Sequence, residues 1–200
     1  MNDIQFMEKP EWVSWEEISE CIQKSNVVND KKGFHMLYAS RKTEELIEEL
    51  KNGHCFVAIK DNKVIGTASF FIRNLKRWWV WGNVIYYSDD GILPEYRGTD
   101  VYFHLVELRD KFVAQTGLKI RQFNTAEHNR TVIKINKIYG YKLVHFTPTK
   151  KGADYYSVTM VRWDDGCPFP DWFVNFMYRM TKFVSKTLWK PGYKFRFGFN

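Results

Sequence analysis

The sequence has no long uninterrupted run of apolar residues. A helix that spans a bilayer needs about 20 consecutive apolar residues, and no stretch of the 200-residue chain reaches that length. The N-terminus also lacks the short basic segment, followed by an apolar one, that marks a secretory signal. We therefore expect a cytoplasmic protein without a membrane-spanning helix.

Cysteine is scarce, and histidine is scattered. The three cysteines, Cys21, Cys55 and Cys167, are an odd number without paired spacing, which argues against a disulfide framework and against a zinc site. The five histidines show no metal-ligand spacing either. Cys55 stands in a strand-like run, where we expect a buried thiol rather than a nucleophile. The sequence predicts no metal cofactor.

Acidic residues are nearly absent from the C-terminal part of the chain. Residues 166–200 hold six Lys/Arg and one acid, Asp171, so they carry +5 of the formal net charge of +7. The remainder is close to neutral, whereas a nucleic-acid-binding body is strongly basic. Because no nucleic-acid motif is present either, we expect no specific nucleic-acid partner.

The residues that are present have the pattern of a mixed α/β domain. With 44% hydrophobic and 26% charged residues, the chain can bury a sizeable core. Apolar spacing predicts helices at 15–22, 43–50, 101–116 and 129–139, and strands at 55–59, 64–72, 78–87, 118–123, 141–146 and 153–163. Thr43 is a predicted helix cap, and residues 60–63 have the composition of a hairpin turn. We predict an α/β (α+β) fold with a mixed, mostly antiparallel sheet flanked by helices.

The loop from Gly91 to Tyr102 leads from a predicted strand into a predicted helix. Pro94 ends the apolar run, and Arg97-Gly98 supplies a turn. Thr99 or Asp100 can then cap the helix. A loop that brings free backbone N–H groups to a helix N-terminus is suited to an anion, and a phosphate-bearing cofactor is its usual occupant. The alternative is an ordinary strand-to-helix connection that binds nothing.

Three stretches of the chain match the pattern of a known family. They are Gly66-Thr67-Ala68 in an early hairpin, Pro94-Glu95-Tyr96-Arg97-Gly98 before the central helix, and the segment from Asn129 to Gly140-Tyr141. Their order and spacing resemble those of the GNAT superfamily of acyl-CoA-dependent acyltransferases, from about residue 15 to residue 163. The resemblance implies a GNAT-like acyltransferase domain over residues 1–163, followed by an aromatic and basic extension over residues 164–200.

The resemblance also implies acetyl-CoA, or another acyl-CoA, as co-substrate. The family's loop signature is Arg or Gln, two residues, Gly, one residue, then Gly or Ala, and its N–H groups hold the pyrophosphate. Arg97 matches the first position, whereas Asp100 and Tyr102 replace the two small residues. The N–H near Ile92 or Leu93 would polarise the thioester carbonyl, and Asn129 would lie near the pantetheine arm. The implied cofactor-binding residues are Ile92, Leu93, Arg97, Gly98, Thr99, Asp100, Val101, Tyr102 and Asn129.

The implied reaction is direct transfer of an acetyl group to the amine of a small molecule in a ternary complex. It needs a base for the amine and an acid for the departing thiolate. The family often uses a tyrosine four residues before the glycine that ends the short helix; here Asn136 stands at that position, and an amide cannot release a proton at neutral pH. Asp89, Asp90 or Glu95 could be the base, and Tyr86, Tyr87, Tyr96 and Tyr139 are substitute acids. We predict the catalytic set Asp90, Glu95, Asn136 and Tyr139.

A second function stays open because Asp100, Tyr102 and Asn136 depart from the family pattern. It is a GNAT-shaped binding or scaffold protein without turnover, attached through its C-terminal extension to a partner or to a membrane. On either interpretation the acceptor or ligand cleft is expected from the loops at 27–38 and 75–87, the second of which is rich in tryptophan.

The C-terminal extension contains a predicted amphipathic helix with Asp171 as its cap. Its basic residues Arg179, Lys182 and Lys186 lie opposite one apolar face, formed by Trp172, Phe173, Phe176, Met177, Met180, Phe183 and Val184. An aromatic and basic run follows at 193–197. We expect residues 170–197 to pack on the sheet, to self-associate, or to anchor the protein peripherally at the inner face of an anionic membrane; stacking on nucleic-acid bases is a further alternative.

Overall fold

A computed structural model of the protein describes residues 4–30, 42–149 and 154–195. Within these ranges the chain forms a mixed α/β fold with five α-helices and a seven-stranded, mostly antiparallel sheet, so the predicted fold class is confirmed. The helices are α1 (Trp15–Asp30), α2 (Thr43–Leu50), α3 (Val101–Gln115), α4 (Arg130–Ile138) and α5 (Asp171–Leu188). The strands of this sheet are β1 (Gln5–Glu8), β2 (Gly53–Lys60), β3 (Lys63–Arg77), β4 (Val80–Ile92), β5 (Ile120–Ala126), β6 (Lys142–Pro148) and β7 (Tyr156–Trp163), and their order is β1-β2-β3-β4-β5-β7-β6. Two short strands, β8 (Trp189–Lys190) and β9 (Lys194–Phe195), pair separately.

The chain divides into two compact units. Unit 1 comprises Met1–Arg73 and Ile85–Leu118, and unit 2 comprises Asn74–Val84 and Lys119–Asn200. Unit 1 therefore holds α1, α2, α3, β1 and β2 with parts of β3 and β4, whereas unit 2 holds the remaining elements of the chain.

In unit 1, strand β2 is covered by helices on both faces. Cys55 and Val57 belong to the core that also contains Ile18 of α1 and Leu46 of α2. Phe56, which points to the opposite face because successive strand residues alternate, packs edge-on against Phe112 of α3 with ring centroids 4.9 Å apart. This two-sided burial explains why β2 is apolar at nearly every position rather than at every second one.

The β2–β3 hairpin forms where the sequence predicts it. Lys60 pairs with Lys63 across a two-residue turn, and both turn residues have positive φ, 49° at Asp61 and 59° at Asn62. Two successive positive φ angles are typical of the hairpin turn whose twist matches the strands, and Asp and Asn tolerate that conformation better than other non-glycine residues.

Helix α1 is longer than predicted, because it runs from Trp15 to Asp30 rather than ending at Ile22. Its start is a capping box: the Ser14 amide donates to Glu17 Oε2 over 3.0 Å, and the Glu17 amide donates to Ser14 Oγ over 3.2 Å. Residues 27–30 of the predicted acceptor loop are therefore helical, and the remainder of that loop, 31–38, lies outside the described residues. Strand β1 was not predicted at all.

The predictions that Thr43 and Asp171 are helix caps are wrong. Thr43 is the first residue of α2, whose N-cap is Lys42, and Asp171 is the first residue of α5, whose N-cap is Pro170; neither N-cap residue makes a side-chain capping bond. The Asp171 carboxylate instead accepts a hydrogen bond from Lys142 at the start of β6.

In unit 2, α5 packs on β6 through small polar residues. The Phe146 amide donates to Thr181 Oγ1 over 3.1 Å, and Ser185 Oγ donates to the Phe146 carbonyl over 2.9 Å. Val174 is buried on the same helix, whereas Trp172 and Phe183 are exposed. The predicted packing face is therefore rotated, since hydrogen bonds to strand β6 select the side of α5 that carries Thr181 and Ser185.

Candidate functional site

The loop after β4 contains the turn that the sequence predicts. Strand β4 ends at Ile92, a single turn of 3-10 helix follows at Pro94–Tyr96, and α3 begins at Val101. Gly98 has a φ of +79° with no atom within 4 Å of a Cβ placed there, so a glycine is needed for the backbone conformation rather than for space.

Several backbone amides in this loop are already hydrogen-bonded. The Leu93 amide donates to the Ile65 carbonyl over 3.0 Å, the Arg97 amide to Pro94 over 3.3 Å, and the Thr99 amide to Tyr96 over 3.4 Å. The predicted use of the Leu93 amide to polarise a thioester carbonyl is therefore wrong in this conformation, because that N–H is engaged by β3.

Other amides at the same junction are open. Among the residues that the structure describes, the amides of Gly98, Asp100, Tyr102 and Phe103 donate no hydrogen bond, and the Val101 amide reaches only Thr99 Oγ1, at 3.5 Å. The first amides of a helix have no partner within the helix, and together with the helix dipole they favour an anion. The start of α3 therefore offers the free amides that an anion site needs, and the anion site itself stays a prediction.

The side chains of this loop leave these amides uncapped. Asp100 is the N-cap residue of α3, but its carboxylate makes no capping bond and is exposed. Thr99 Oγ1 donates to the Tyr96 carbonyl over 2.6 Å, and the Arg97 guanidinium donates to the Ser25 carbonyl of α1. Of the two predicted caps, Asp100 does not act as one, and Thr99 makes only a long contact.

Asp90 forms an ion pair with Arg109 of α3 that the sequence interpretation missed. Arg109 Nη1 lies 2.7 and 2.8 Å from the two Asp90 carboxylate oxygens, and the Arg109 guanidinium lies over the Tyr87 ring at 3.9 Å. Burial alone lowers the pKa of Arg109, but Asp90, Tyr87 and Tyr102 outweigh it, so the pKa stays above its ordinary value. The carboxylate of Asp90 also accepts from the Ser69 amide over 3.3 Å.

Tyr102 contacts the same ion pair. Its hydroxyl donates to Asp90 Oδ2 over 3.5 Å, and burial, followed by the negative charge of Asp90, raises the pKa of Tyr102 above its ordinary value. The bulky side chain that replaces a small residue of the family pattern is therefore held against β4.

Asp89 is a strained residue inside β4. Its φ is +55°, a left-handed conformation that is uncommon for a residue other than glycine, and it is buried. Ser88 Oγ donates to Asp89 Oδ2 over 2.7 Å, and Thr67 Oγ1 donates to the Asp89 carbonyl over 2.8 Å. Thr67 belongs to the Gly66-Thr67-Ala68 stretch, so that stretch supports the strained turn of β4.

Glu95, which belongs to the predicted catalytic set together with Asp90, is solvent-exposed. It lies in the 3-10 turn at Pro94–Tyr96 and makes no hydrogen bond or ion pair with the described residues. Cys21 and Cys55 are buried in the core, and burial raises the pKa of each thiol to about 12. Neither cysteine is therefore a nucleophile at neutral pH.

The predicted site residues of unit 2 lie in α4 or at its two ends. Asn129 is its N-cap residue without a side-chain capping bond, and its Nδ2 donates to Thr125 Oγ1 over 3.3 Å. Asn136 Nδ2 donates to the Val132 carbonyl over 2.9 Å, which leaves the side-chain oxygen for other partners. Tyr139 is the C-cap residue of α4 and is 52% exposed.

The end of α4 forms as predicted. Gly140 has a φ of +83°, the Gly140 amide donates to Lys137 over 3.1 Å, and the Tyr141 amide donates to Asn136 over 3.0 Å. These two bonds define a Schellman motif, which needs a left-handed residue after the helix. The glycine thereby fixes the last turn of α4, on which Asn136 and Tyr139 stand.

The tryptophan-rich segment at 75–87 was predicted as an acceptor loop, but it consists mostly of the ends of β3 and β4. Within unit 2 it forms one wall of a groove of about 550 Å³, lined by Lys76, Arg77, Trp78, Trp79, Val80, Trp81, Ile120, Trp163, Pro168 and Phe169. Trp79 is fixed by a 2.9 Å hydrogen bond from its Nε1 to Gln122 Oε1. Burial, together with Arg77, lowers the pKa of the neighbouring His145.

Among the described residues, no group of three or more His, Cys, Asp or Glu side chains could hold a metal ion. Over the same part of the chain, the helices are too short or too polar to cross a membrane.

This chain matches a known protein family. The family model described as the acetyltransferase (GNAT) family matches residues 15–141, which is more than half of the sequence. Curated proteins provide no match to the sequence.

Solved structures share the fold at low sequence identity. A proposed GNAT acetyltransferase from Desulfovibrio desulfuricans is 11% identical with a TM-score of 0.62, over 81% of this chain and 99% of that one. A GNAT acetyltransferase from Elizabethkingia anophelis, solved with acetyl-CoA bound, is 8% identical with a TM-score of 0.57, over 82% and 99%. The ribosomal-protein-S18-alanine N-acetyltransferase of Escherichia coli is 8% identical with a TM-score of 0.59, over 80% and 94%.

Proposed function

This chain belongs to the acetyltransferase (GNAT) family, and from that premise we propose that it is an acyl-CoA-dependent N-acyltransferase. The proposed reaction moves an acetyl group to the amine of a small molecule by direct attack in a ternary complex. The observation that carries the proposal is the set of four open amides, those of Gly98, Asp100, Tyr102 and Phe103, at the start of α3. The Elizabethkingia protein, which shares the fold, was solved with acetyl-CoA bound, and this supports acetyl-CoA as the proposed co-substrate.

The open amides fit a diphosphate group. Backbone N–H groups in a turn that leads into a helix form a concave anion site, and the helix dipole adds partial positive charge. Gly98, whose left-handed conformation orients the turn, and the first turn of α3 would hold the pyrophosphate of acyl-CoA. The bound co-substrate would supply an activated thioester.

The two departures from the family pattern are compatible with this fit. Asp100 is exposed, so water screens its repulsion of a phosphate; at an effective dielectric constant near that of water two charges about 4 Å apart interact by only about 1 kcal/mol. Tyr102 is held against β4 by Asp90. We therefore expect weaker binding than in a chain with two small residues, but not its loss.

The exposed candidates, Glu95 in unit 1 and Tyr139 in unit 2, are each proposed as an acid–base residue, and each proposal is made for that residue by itself. The Glu95 carboxylate, which is solvent-exposed and makes no hydrogen bond or ion pair within the described part of the chain, is assigned as the base that takes the proton of the acceptor ammonium, directly or through water. The Tyr139 hydroxyl is assigned as the donor that protonates the leaving thiolate. Asp90 is assigned a positioning role, because its oxygens are occupied by Arg109.

An assay of CoA release tests the proposal. The full chain is incubated with acetyl-CoA and a panel of small primary amines, and the free thiol is followed by its reaction with a disulfide reagent. Glu95→Gln and Tyr139→Phe should each lower kcat by about a hundredfold or more, since removal of a general base or acid typically costs that much. Glu107→Gln, on the exposed side of α3, is the matched control.

Two results would contradict the assignment. Unchanged kcat in both variants would remove Glu95 and Tyr139 from the chemistry. Binding of acetyl-CoA without CoA release for any amine would replace the enzyme with a binding protein.

A further inference from the structure

Helix α5 exposes large apolar side chains along one side. The relative exposures are 71% for Trp172, 56% for Phe176, 41% for Met180, 71% for Phe183 and 43% for Val184. We call these five residues the α5 stripe. They recur three to four residues apart, so they lie together along the helix. Clustered exposed apolar residues mark an interaction surface more often than single ones do.

The α5 stripe cannot turn inward without loss of the packing of the helix. Trp172 and Thr181 are nine residues apart, as are Phe176 and Ser185, which places each pair on opposite sides of a helix with 3.6 residues per turn. Thr181 and Ser185 are the residues that hydrogen-bond to Phe146 of β6. The side of α5 that faces β6 is therefore fixed, and the stripe faces away from it.

The charges beside the stripe are of one sign. Arg179, Lys182 and Lys186 all lie on α5, and its one acidic residue, Asp171, is paired with Lys142 of β6. Lys186 is paired with Glu127, whereas Arg179 and Lys182 are exposed. Two copies that met through this stripe would bring like charges together, and an anionic partner would meet complementary charge.

We propose that the α5 stripe binds the surface of a membrane rich in anionic phospholipids. Aromatic and apolar side chains next to Lys and Arg are suited to the boundary between acyl chains and headgroups, and a helix of this kind lies in the plane of that boundary. Trp172, Phe176 and Phe183 would enter the boundary, while Arg179 and Lys182 would contact lipid phosphates. Peripheral binding of this kind needs no membrane-spanning helix.

Vesicle co-sedimentation of the full chain tests the proposal. Vesicles of equimolar phosphatidylcholine and phosphatidylglycerol should bind the protein, and vesicles of phosphatidylcholine alone should bind it at least about tenfold more weakly. The double variant Trp172→Ser, Phe183→Ser should lose about tenfold or more in affinity, because both side chains would leave the boundary. The matched control is Trp12→Ser, which removes a tryptophan that is 58% exposed in unit 1.

Two charge-reversal variants distinguish the effect of the charges beside the stripe from the effect of the net charge of the protein. Arg179→Glu with Lys182→Glu should weaken binding by about tenfold or more, whereas Lys24→Glu with Lys111→Glu, at side chains that are 60% and 67% exposed elsewhere, should have a much smaller effect despite the same change in net charge. Added salt should weaken binding of the wild type.

Three outcomes would overturn the proposal. They are equal affinity for the two kinds of vesicle, no binding to either, and equal losses in the α5 variants and their controls. Sedimentation velocity of the same proteins measures the oligomeric state. If the wild type binds no vesicles but forms a dimer, and the Trp172→Ser, Phe183→Ser variant is a monomer, then the stripe binds a second copy of the chain instead.

Discussion

At the scale of single residues, the Asp90–Arg109 pair explains how a carboxylate beside the candidate loop acquires a structural role. Arg109 is buried in α3 on the same side as Val101, Leu105 and Val113, each four residues from the next. A buried guanidinium needs charged or polar partners, and Asp90 supplies two oxygens. The pair thereby connects α3 to the end of β4, the strand that leads into the loop with the open amides.

Removal of the arginine should destabilise the protein. Arg109→Met leaves Asp90 without its counter-charge. We expect a loss of about 2–3 kcal/mol in the free energy of unfolding, which is at or below the lower end of the range for buried pairs. The loss is moderate because the Asp90 side chain is still 28% exposed to water. Urea denaturation followed by circular dichroism measures it. Lys111→Met, which breaks a surface pair on the same helix, should cost under about 0.5 kcal/mol.

A double-mutant cycle makes this test specific. If the pair acts as a unit, Asp90→Asn combined with Arg109→Met should cost less than the sum of the two single changes. Additive costs would mean that Arg109 stabilises the fold by packing alone.

At the scale of the elements, the sequence predicted the turns and helix ends whose conformation depends on their own residues. The Asp61-Asn62 turn and the Gly140 helix end were predicted, because each depends on the backbone freedom of the residues that form it. The role of Arg109 was not predicted, because its partner Asp90 lies on the neighbouring strand. The spacing of four residues from Leu105 did indicate that Arg109 lies on the buried side of α3. The capping box at Ser14 and Glu17 was also visible in the sequence and was overlooked.

Tertiary contacts account for the other differences. Strand β1 has only four residues and is formed by antiparallel pairing with β2, which no local pattern reveals. The rotation of α5 follows from hydrogen bonds of Thr181 and Ser185 to β6. A hydrophobic pattern indicates which residues avoid water, but it does not include hydrogen bonds of this kind. The sequence pattern therefore predicted the apolar side of α5 as its packing side.

Close packing of α3 on the sheet provides an element-scale prediction. A Cβ at Gly66 would lie 2.6 Å from Ile92 Cδ1 and 3.0 Å from Leu105 Cδ1, so Gly66→Ala forces these two side chains, or the elements that carry them, to shift. We expect a loss of about 1–3 kcal/mol in the free energy of unfolding, measured by urea denaturation. The second change Ile92→Val removes the nearest atom and should restore part of the loss; no restoration would place the strain elsewhere.

At the scale of the whole molecule, the family match and helix α5 cover different parts of the chain. The match to the GNAT family covers residues 15–141 and supports acyl transfer. Helix α5 lies beyond that range, packs on β6 and exposes the α5 stripe. An acyltransferase held at a membrane surface would meet acceptors concentrated there, so the two proposals are compatible although neither depends on the other.

Acetyl-CoA should stabilise the folded chain, because a ligand that binds only the native state shifts the unfolding equilibrium by mass action. At about a hundred times its Kd the gain is about 2.7 kcal/mol, which for a chain of this size raises Tm by about 5–10 °C. Differential scanning fluorimetry with millimolar acetyl-CoA measures the shift, and sodium acetate at the same ionic strength is the control. Asp100→Gly removes a negative charge beside the open amides and should enlarge the shift. No shift in either protein would mean that the amides at the start of α3 do not hold a diphosphate, whereas a shift in the wild type that Asp100→Gly leaves unchanged would show that the carboxylate is no obstacle to binding.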